Sequence, residues 1–202
     1  MNPTQTLPPG YLPAKTLDVN QDKKTLVGLN LYGLILFVVF GWLFIQFIQW
    51  LRPGLLTGNF SFTIDSLKEA LTFVVGVVLL LAVMIVLDEG IHGICFWLFT
   101  RSRPKFAFKG AYAYATAPGW YIPRMPYLIT ALAPFVVISV LCGALVWFAP
   151  PRWLLPIALL ASLNAGGAVG DLLIAFWLVR EPATCLVLDQ GDSATLYNEA
   201  LQ

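Results

Sequence analysis

The sequence predicts an all-α membrane protein with four transmembrane helices and a short aromatic hairpin on the cytoplasmic side, between the second and third helices. Of the 202 residues, 58% are hydrophobic and only 11% are charged, whereas soluble domains carry about 25% charged residues. Charged residues are absent from four long segments, which are residues 25–51, 70–87, 126–151 and 153–170. Each segment approaches or exceeds the ~20 apolar residues that cross a bilayer. Lipid offers the backbone no hydrogen bonds, and the segments lack the alternation of barrel strands, so they are predicted to be helices.

The N-terminal segment, residues 1–24, is predicted to be a poorly ordered cytoplasmic tail because it is rich in proline and ends in basic residues. The first helix is predicted over residues 25–51. Pro53 ends it, since the residue before a proline disfavours helical backbone. The apolar run is longer than that of a cleaved signal peptide, so it is interpreted as a membrane span.

The second helix is predicted over residues 67–100, and its start carries a capping box. Ser66 is expected to accept a hydrogen bond from the first turn, and Glu69 to reach back. The third and fourth helices are predicted over residues 126–148 and 153–179, each followed by a proline that stops it. The transmembrane domain then covers residues 25–182, and residues 183–202 form a polar cytoplasmic tail with one or two strands.

The segment between the second and third helices, residues 101–125, mixes basic residues with aromatic residues at a period of two. This pattern, followed by Pro118 and Gly119, predicts a hairpin at the membrane face, where tyrosine and tryptophan prefer to lie. Nine of the twelve Lys and Arg residues lie in the N-terminal tail, in this segment or at Arg180. The positive-inside rule therefore predicts that the hairpin and both termini are cytoplasmic.

Three acidic residues and one histidine lie well inside the predicted spans, and they are the candidate functional residues: Asp88, Glu89, His92 and Asp171. Each charge near the bilayer centre costs at least about 2.5–3.5 kcal/mol, so such residues usually serve a function. Asp88 and His92 are four residues apart and share one helical face. His92 and Asp171 each lie nine residues before the basic residue that ends their helix. At 1.5 Å per residue both lie roughly 13 Å inside the cytoplasmic boundary, so we expect them to meet.

The residues around Asp171 are small or polar. Gly166 and Gly170 form a small-xxx-small ridge, which we expect to let the fourth helix approach the second closely. Asn164 lies seven residues before Asp171 and is expected to share its face. We therefore predict that Asn164 donates a hydrogen bond to a substrate or a ligand.

These residue types favour a metal site. In the motif H-E-x-x-H, two histidines bind zinc and the glutamate activates water. Here residues 88–92 read D-E-G-I-H, so the first ligand is an aspartate. Zinc accepts carboxylate oxygens, so Asp88, His92 and Asp171 are predicted to bind Zn²⁺ with one open position. Glu89 is the predicted general base, which takes a proton from water. A hydrogen-bonded cluster without a metal is the alternative interpretation.

A series of motifs in this sequence is similar to the bacterial putative zincin peptidases, which are small four-helix membrane proteins resembling the core of the site-2 proteases. The motifs are Asp88 to Gly93, Ala111 to Tyr114, Pro118 to Arg124, Ala131 to Pro134 and Gly170 to Leu172. The resemblance covers roughly residues 70–200. It implies zinc ligation by His92 and Asp171, a general base at Glu89, and peptide hydrolysis in or beside the bacterial cytoplasmic membrane. Asp88 stands where the family usually has the first histidine.

Three functions are compatible with the sequence. The leading hypothesis is an intramembrane zinc metalloprotease that acts on a membrane protein or peptide, with Tyr112 and Tyr114 of the hairpin as further substrate-binding candidates. The second is a catalytically degenerate pseudoprotease that binds membrane segments. The third is a small ion or proton pathway that uses the buried carboxyl groups. Membrane lipids are expected partners, and no basic tract indicates nucleic acid.

Overall fold

The computed structural model describes residues 1–18, 23–55, 65–108, 113–191 and 193–200. Within these residues its helices are α1 (Lys23–Leu51), α2 (Leu67–Thr100), α3 (Arg124–Phe148), α4 (Pro151–Gly167) and α5 (Val169–Val179). Its strands are β1 (Tyr11–Asp18), β2 (Lys105–Phe108), β3 (Ala113–Thr116), β4 (Tyr121–Pro123), β5 (Leu186–Asp189) and β6 (Ser193–Glu199). The protein is mostly helical. The prediction of an all-α fold is too narrow, because strands flank and separate the helices.

Several helices are long and apolar enough to cross a membrane. In the described part of the chain, α1, α2 and α3 each pass this test, and α4 and α5 pass it together as a pair bent by 46°. Large apolar side chains on these helices face outward, as shown by Leu34 at 59% exposed, Val86 at 70% and Val140 at 64%. A large exposed apolar surface of this kind indicates contact with membrane lipid rather than with water. The fold is therefore that of a membrane protein with three spans, or four if the bent pair is one span.

Local hydrogen bonds define the ends of α2. The backbone N–H of Glu69 donates to Ser66 Oγ at 3.2 Å, and Glu69 Oε2 accepts from the backbone N–H of Asp65 at 3.0 Å. The predicted capping box is therefore present, with the reciprocal bond made one residue before the cap. At the other end Arg101 adopts left-handed backbone with φ of 57°. Its N–H donates to the carbonyl of Trp97 at 2.8 Å, which closes the last turn.

The predicted fourth helix over residues 153–179 is two helices that bend at Ala168. Glycine disfavours helix, and Gly166, Gly167 and Gly170 surround the bend. The expectation that the Gly166 ridge faces the second helix is wrong. A Cβ built on Gly33 of α1 would lie 2.8 Å from the Gly166 carbonyl oxygen, and a Cβ on Gly170 would meet none of the described residues within 4 Å. The close approach is therefore between α1 and α4.

The N-terminal strand β1 and the C-terminal strands β5 and β6 form one antiparallel sheet together with β4, which precedes α3, in the order β1-β6-β5-β4. Tyr11 is paired with Glu199, and Leu188 with Tyr121. The prediction of a poorly ordered tail over residues 1–24 is thus wrong for β1. Seven residues of that tail pair in register with β6, and the ladder hydrogen bonds satisfy backbone groups that would otherwise need water.

The sheet packs on the helix ends that carry the site. Its buried residues Val187 and Leu196 share one apolar core with Phe96 of α2, Tyr127 of α3 and Leu178 of α5. The two remaining strands, β2 and β3, pair antiparallel between α2 and α3. The residues that connect them, 109–112, lie outside the described residues. The β-structure therefore covers the end of the bundle where α2 ends and α3 begins.

Candidate metal centre

Three side chains from two helices converge at one point. His92 Nε2 lies 3.5 Å from Asp171 Oδ1 and 4.0 Å from Asp88 Oδ2. All three ligand atoms lie within 4.8 Å of one another. Ligands of a tetrahedral zinc ion at 2.0–2.2 Å are separated by roughly 3.4 Å. The observed spacing therefore fits a metal after a small contraction, and the predicted meeting of His92 with Asp171 is observed.

Helix geometry explains the convergence. Asp88 and His92 are one helical turn apart on α2, so their side chains project to the same side. Asp171 lies in the first turn of α5, directly after the bend at Ala168. A small contact helps to place this bend, because a Cβ on Gly167 would lie 2.6 Å from Met84 Cε of α2. Gly167 thus leaves room for the end of the Met84 side chain of α2 next to the segment that carries Asp171.

The imidazole of His92 is oriented by the third helix. Its Nδ1 lies 3.0 Å from the backbone carbonyl oxygen of Thr130. A carbonyl oxygen only accepts hydrogen bonds, so Nδ1 carries the proton in this contact. Nε2 is then the ring nitrogen that faces the carboxylates of Asp88 and Asp171, and in the neutral imidazole it would offer the lone pair that a metal ligand requires.

Glu89 lies beside this group on α2 and has one oxygen available. Its carboxyl group accepts a hydrogen bond from the backbone of Ala115 in β3. Among the described residues, its buried Oε2 has no hydrogen-bond partner, and neither has Asp88 Oδ1. Buried polar atoms are rarely left unpaired in native proteins. These two oxygens therefore indicate a partner such as a cation or water at this position.

The converging groups line a cavity of about 500 Å³. Four carboxyl groups and one imidazole face it, which are those of Asp88, Glu89, Asp171, Asp189 and His92. Ionised carboxylates crowded into a partly buried site repel one another, and a divalent cation relieves that repulsion. The cluster of carboxyl groups and one imidazole in the cavity therefore suits a metal ion.

The strand pair β2–β3 is held against α2 at the site. A Cβ on Gly93 would lie 2.5 Å from Cζ of Phe106, so the missing side chain leaves room for the Phe106 ring against α2. Tyr114 of β3 lines the cavity. Its ring occupies the space that a side chain on Gly191 would need, since a Cβ there would overlap the Tyr114 ring. The other predicted aromatic contact, Tyr112, lies outside the described residues.

Asn164 is placed differently from the expectation. It is fully buried, and its Nδ2 donates to the carbonyl of Phe135 at 3.1 Å and to Ser139 Oγ at 3.3 Å. Asn164 does not line the cavity among the described residues. Its amide links α4 to α3, and the bend at Ala168 separates it from the Asp171 face.

Sequence reasoning missed Asp189 at the end of β5. Its Oδ2 accepts a hydrogen bond from Tyr127 Oη at 3.2 Å, and its Oδ1 accepts from the N–H of Gly191 at 2.7 Å. Burial raises the pKa of Asp189 to about 6, although these hydrogen bonds and nearby His92 oppose the rise. The polar C-terminal segment carries no motif that marks this residue. Only the folding of β5 onto the helices brings it to the cavity.

Comparison with protein families gives one match. The model of a family described as putative zincin peptidase matches residues 81–186, just over half of the chain. The match includes all of the converging residues, from Asp88 on α2 to Asp171 on α5. Neither the curated proteins nor the solved structures contain a match to this chain. The chain therefore belongs to the putative zincin peptidase family.

Proposed function

We propose that this protein is an intramembrane zinc metalloprotease of the site-2-protease type. The observation that carries the proposal is the convergence of Asp88, His92 and Asp171 within 4.8 Å, beside a glutamate with a free buried oxygen. The membership in the zincin peptidase family supports the same reaction class. The apolar helices around the site support a substrate that is itself a membrane segment.

The three ligands suit zinc by their chemistry. Zinc binds imidazole nitrogen and carboxylate oxygen, and catalytic zinc sites use three protein ligands with a fourth position open. Asp88, His92 and Asp171 supply one nitrogen and two oxygens. When bound, zinc would supply Lewis acidity that acidifies water and polarises a peptide carbonyl.

Glu89 would move the proton in this reaction. Its buried Oε2 has no hydrogen-bond partner in the part of the chain that the structure describes, so it would be free to accept a proton from the attacking water. Ala115 of β3 holds the same carboxyl group by its backbone, which fixes the orientation of the side chain. The protonated Glu89 would then act as a general acid and pass the proton from Oε2 to the amine released by peptide cleavage.

The sheet end of the bundle is proposed to face the cytoplasm, in a bacterial cytoplasmic membrane. Support comes from the charges, since nine of the twelve Lys and Arg residues lie in the N-terminal tail, residues 101–125 or Arg180. Further support comes from the pairing of β1 with β6, which keeps both chain ends on one side. An even number of spans follows, with α4 and α5 together as the fourth.

The test uses Glu89→Gln, with Glu199→Gln at the exposed end of β6 as the matched control. Purified protein is loaded with zinc, reconstituted in liposomes and incubated with single-span membrane peptides. Loss of the base is expected to lower cleavage by about 10²–10⁴-fold while the bound zinc is unchanged. Equal cleavage by wild type and Glu89→Gln at equal zinc content would contradict the proposed role.

The second candidate is a pseudoprotease that binds membrane segments without cleaving them. The ligand residues support this candidate, because Asp88 supplies a carboxylate at a position where a second imidazole would bind zinc more strongly. Asp88→His separates the two candidates. If the natural protein binds zinc and cleaves, the protease proposal holds. If only Asp88→His does so, the natural chain is a degenerate member.

A further inference from the structure

The carbonyl that contacts His92 lies at an unusual point in its helix. In an α-helix, each carbonyl accepts a hydrogen bond from the N–H four residues later. Four residues after Thr130 comes Pro134, which lies inside α3 and is fully buried. Proline has no N–H to donate. The Thr130 carbonyl therefore lacks its helical partner in the interior of a spanning helix.

His92 supplies the missing donor. Its Nδ1 lies 3.0 Å from the Thr130 carbonyl oxygen. The Thr130 hydroxyl is engaged elsewhere, because it donates to the carbonyl of Pro126 at 2.9 Å. An unpaired carbonyl away from water costs free energy. The contact therefore stabilises the Thr130 carbonyl, which gains a donor, and His92 Nδ1, which gains an acceptor. The imidazole of His92 supplies the hydrogen bond that α3 lacks at Thr130, and the Thr130 carbonyl fixes the orientation of the imidazole.

We propose that Pro134 is a positioning residue for the metal centre, acting through the Thr130 carbonyl on His92. By removing one helical N–H, it keeps the carbonyl free for Nδ1 and turns Nε2 toward Asp88 and Asp171. Partners of this kind, which hold the second nitrogen of a ligating histidine, fix its tautomer and ring orientation. The metal-binding part of this inference rests on the proposed function.

The chain offers a matched control for a general effect of proline on a spanning helix. Pro156 also lies inside a helix, α4. The carbonyl four residues before it belongs to Arg152, which does not contact the site in the described structure. Pro134→Ala and Pro156→Ala therefore add the same N–H to two spanning helices, and only the first competes with His92.

The experiment has two readouts. His92 is the only histidine in the chain, so protein labelled with ¹⁵N-histidine and purified through a tag without histidine gives the NMR signals of one imidazole. The first readout is the exchange of its Nδ1–H with water, with and without zinc. The second is the zinc dissociation constant, measured by competition with a chelator. Circular dichroism verifies that each variant is folded.

In the wild type and in Pro156→Ala, the Nδ1–H is expected to exchange slowly with water. In Pro134→Ala it exchanges faster, and zinc binds about 10–100-fold more weakly, whereas Pro156→Ala stays within about threefold of the wild type. Wild-type exchange and zinc affinity in Pro134→Ala would overturn the inference and leave the metal site standing. If no variant binds zinc but Pro134→Ala alone exchanges faster, the orientation by Pro134 holds and the proposed function fails.

Discussion

Replacement of Gly33 by alanine tests whether the close approach of α1 and α4 holds the bundle together. A Cβ at position 33 would lie 2.8 Å from the backbone oxygen of Gly166, and one at position 166 would lie 3.0 Å from the Gly33 oxygen. Both neighbours are backbone atoms, which cannot turn aside. The helices must therefore separate by several tenths of an ångström along their contact.

The expected cost follows from this geometry. Overpacking of a close-packed interior costs about 1–3 kcal/mol, and the small-residue contact is the main source of attraction between helices in lipid. Gly28→Ala on the same helix is the control, because a Cβ there would meet no atom of the described residues within 4 Å. The change in helix propensity is the same in both variants, so it cancels in the difference between them.

The assay is reversible unfolding of both variants in mixed detergent and lipid micelles, followed by circular dichroism. Gly33→Ala is expected to be about 1–3 kcal/mol less stable than Gly28→Ala. It is also expected to weaken zinc binding, since Gly166 lies two residues before the bend that places Asp171. Equal stability of the two variants would refute the reasoning that this contact is tight.

Two further predictions concern the carboxyl groups of the cavity. Asp171→Asn removes one of the three ligands and is expected to weaken zinc binding by at least about 100-fold, whereas Asp65→Asn, which changes an exposed carboxyl group, leaves the dissociation constant unchanged. Burial raises the pKa of Asp189 to about 6, above about 3.9 in the unfolded chain. Ionisation therefore costs the folded state up to about 3 kcal/mol as the pH rises from about 4 to 6. In thermal unfolding, the stability of Asp189→Asn is expected to fall less than that of the wild type over this pH range. The same dependence of stability on pH in both proteins would contradict the prediction.

The apolar helices and the meeting of His92 with Asp171 could be predicted, because both follow from residue positions along single helices. Charge-free segments mark the lipid-crossing helices. Equal distances from Arg101 and Arg180 predict equal depths for His92 and Asp171, provided that both helices end on the same side. The bend at Ala168 leaves this count intact, since it precedes Asp171.

The sheet, the place of Asp189 and the place of Asn164 could not be predicted, because they depend on contacts between distant parts of the chain or on the bend in the fourth span. β1 pairs with β6 across most of the chain length, from Tyr11 to Glu199, and its residues show no clear alternation. Asp189 reaches the cavity only because this sheet packs on the helix ends. The seven-residue spacing from Asn164 to Asp171 places them on one face only in a continuous helix, and the bend breaks that continuity.

X-ray absorption at the zinc edge, on purified protein, tests the central claim most directly. The arrangement of Asp88, His92 and Asp171 predicts one zinc ion per chain, with a first shell of one imidazole nitrogen and oxygen ligands and with no sulfur. Asp171→Asn should lose the ion, and Asp65→Asn should keep it. Protein that takes up no zinc, or zinc bound through sulfur from Cys95, Cys142 or Cys185, would contradict the account.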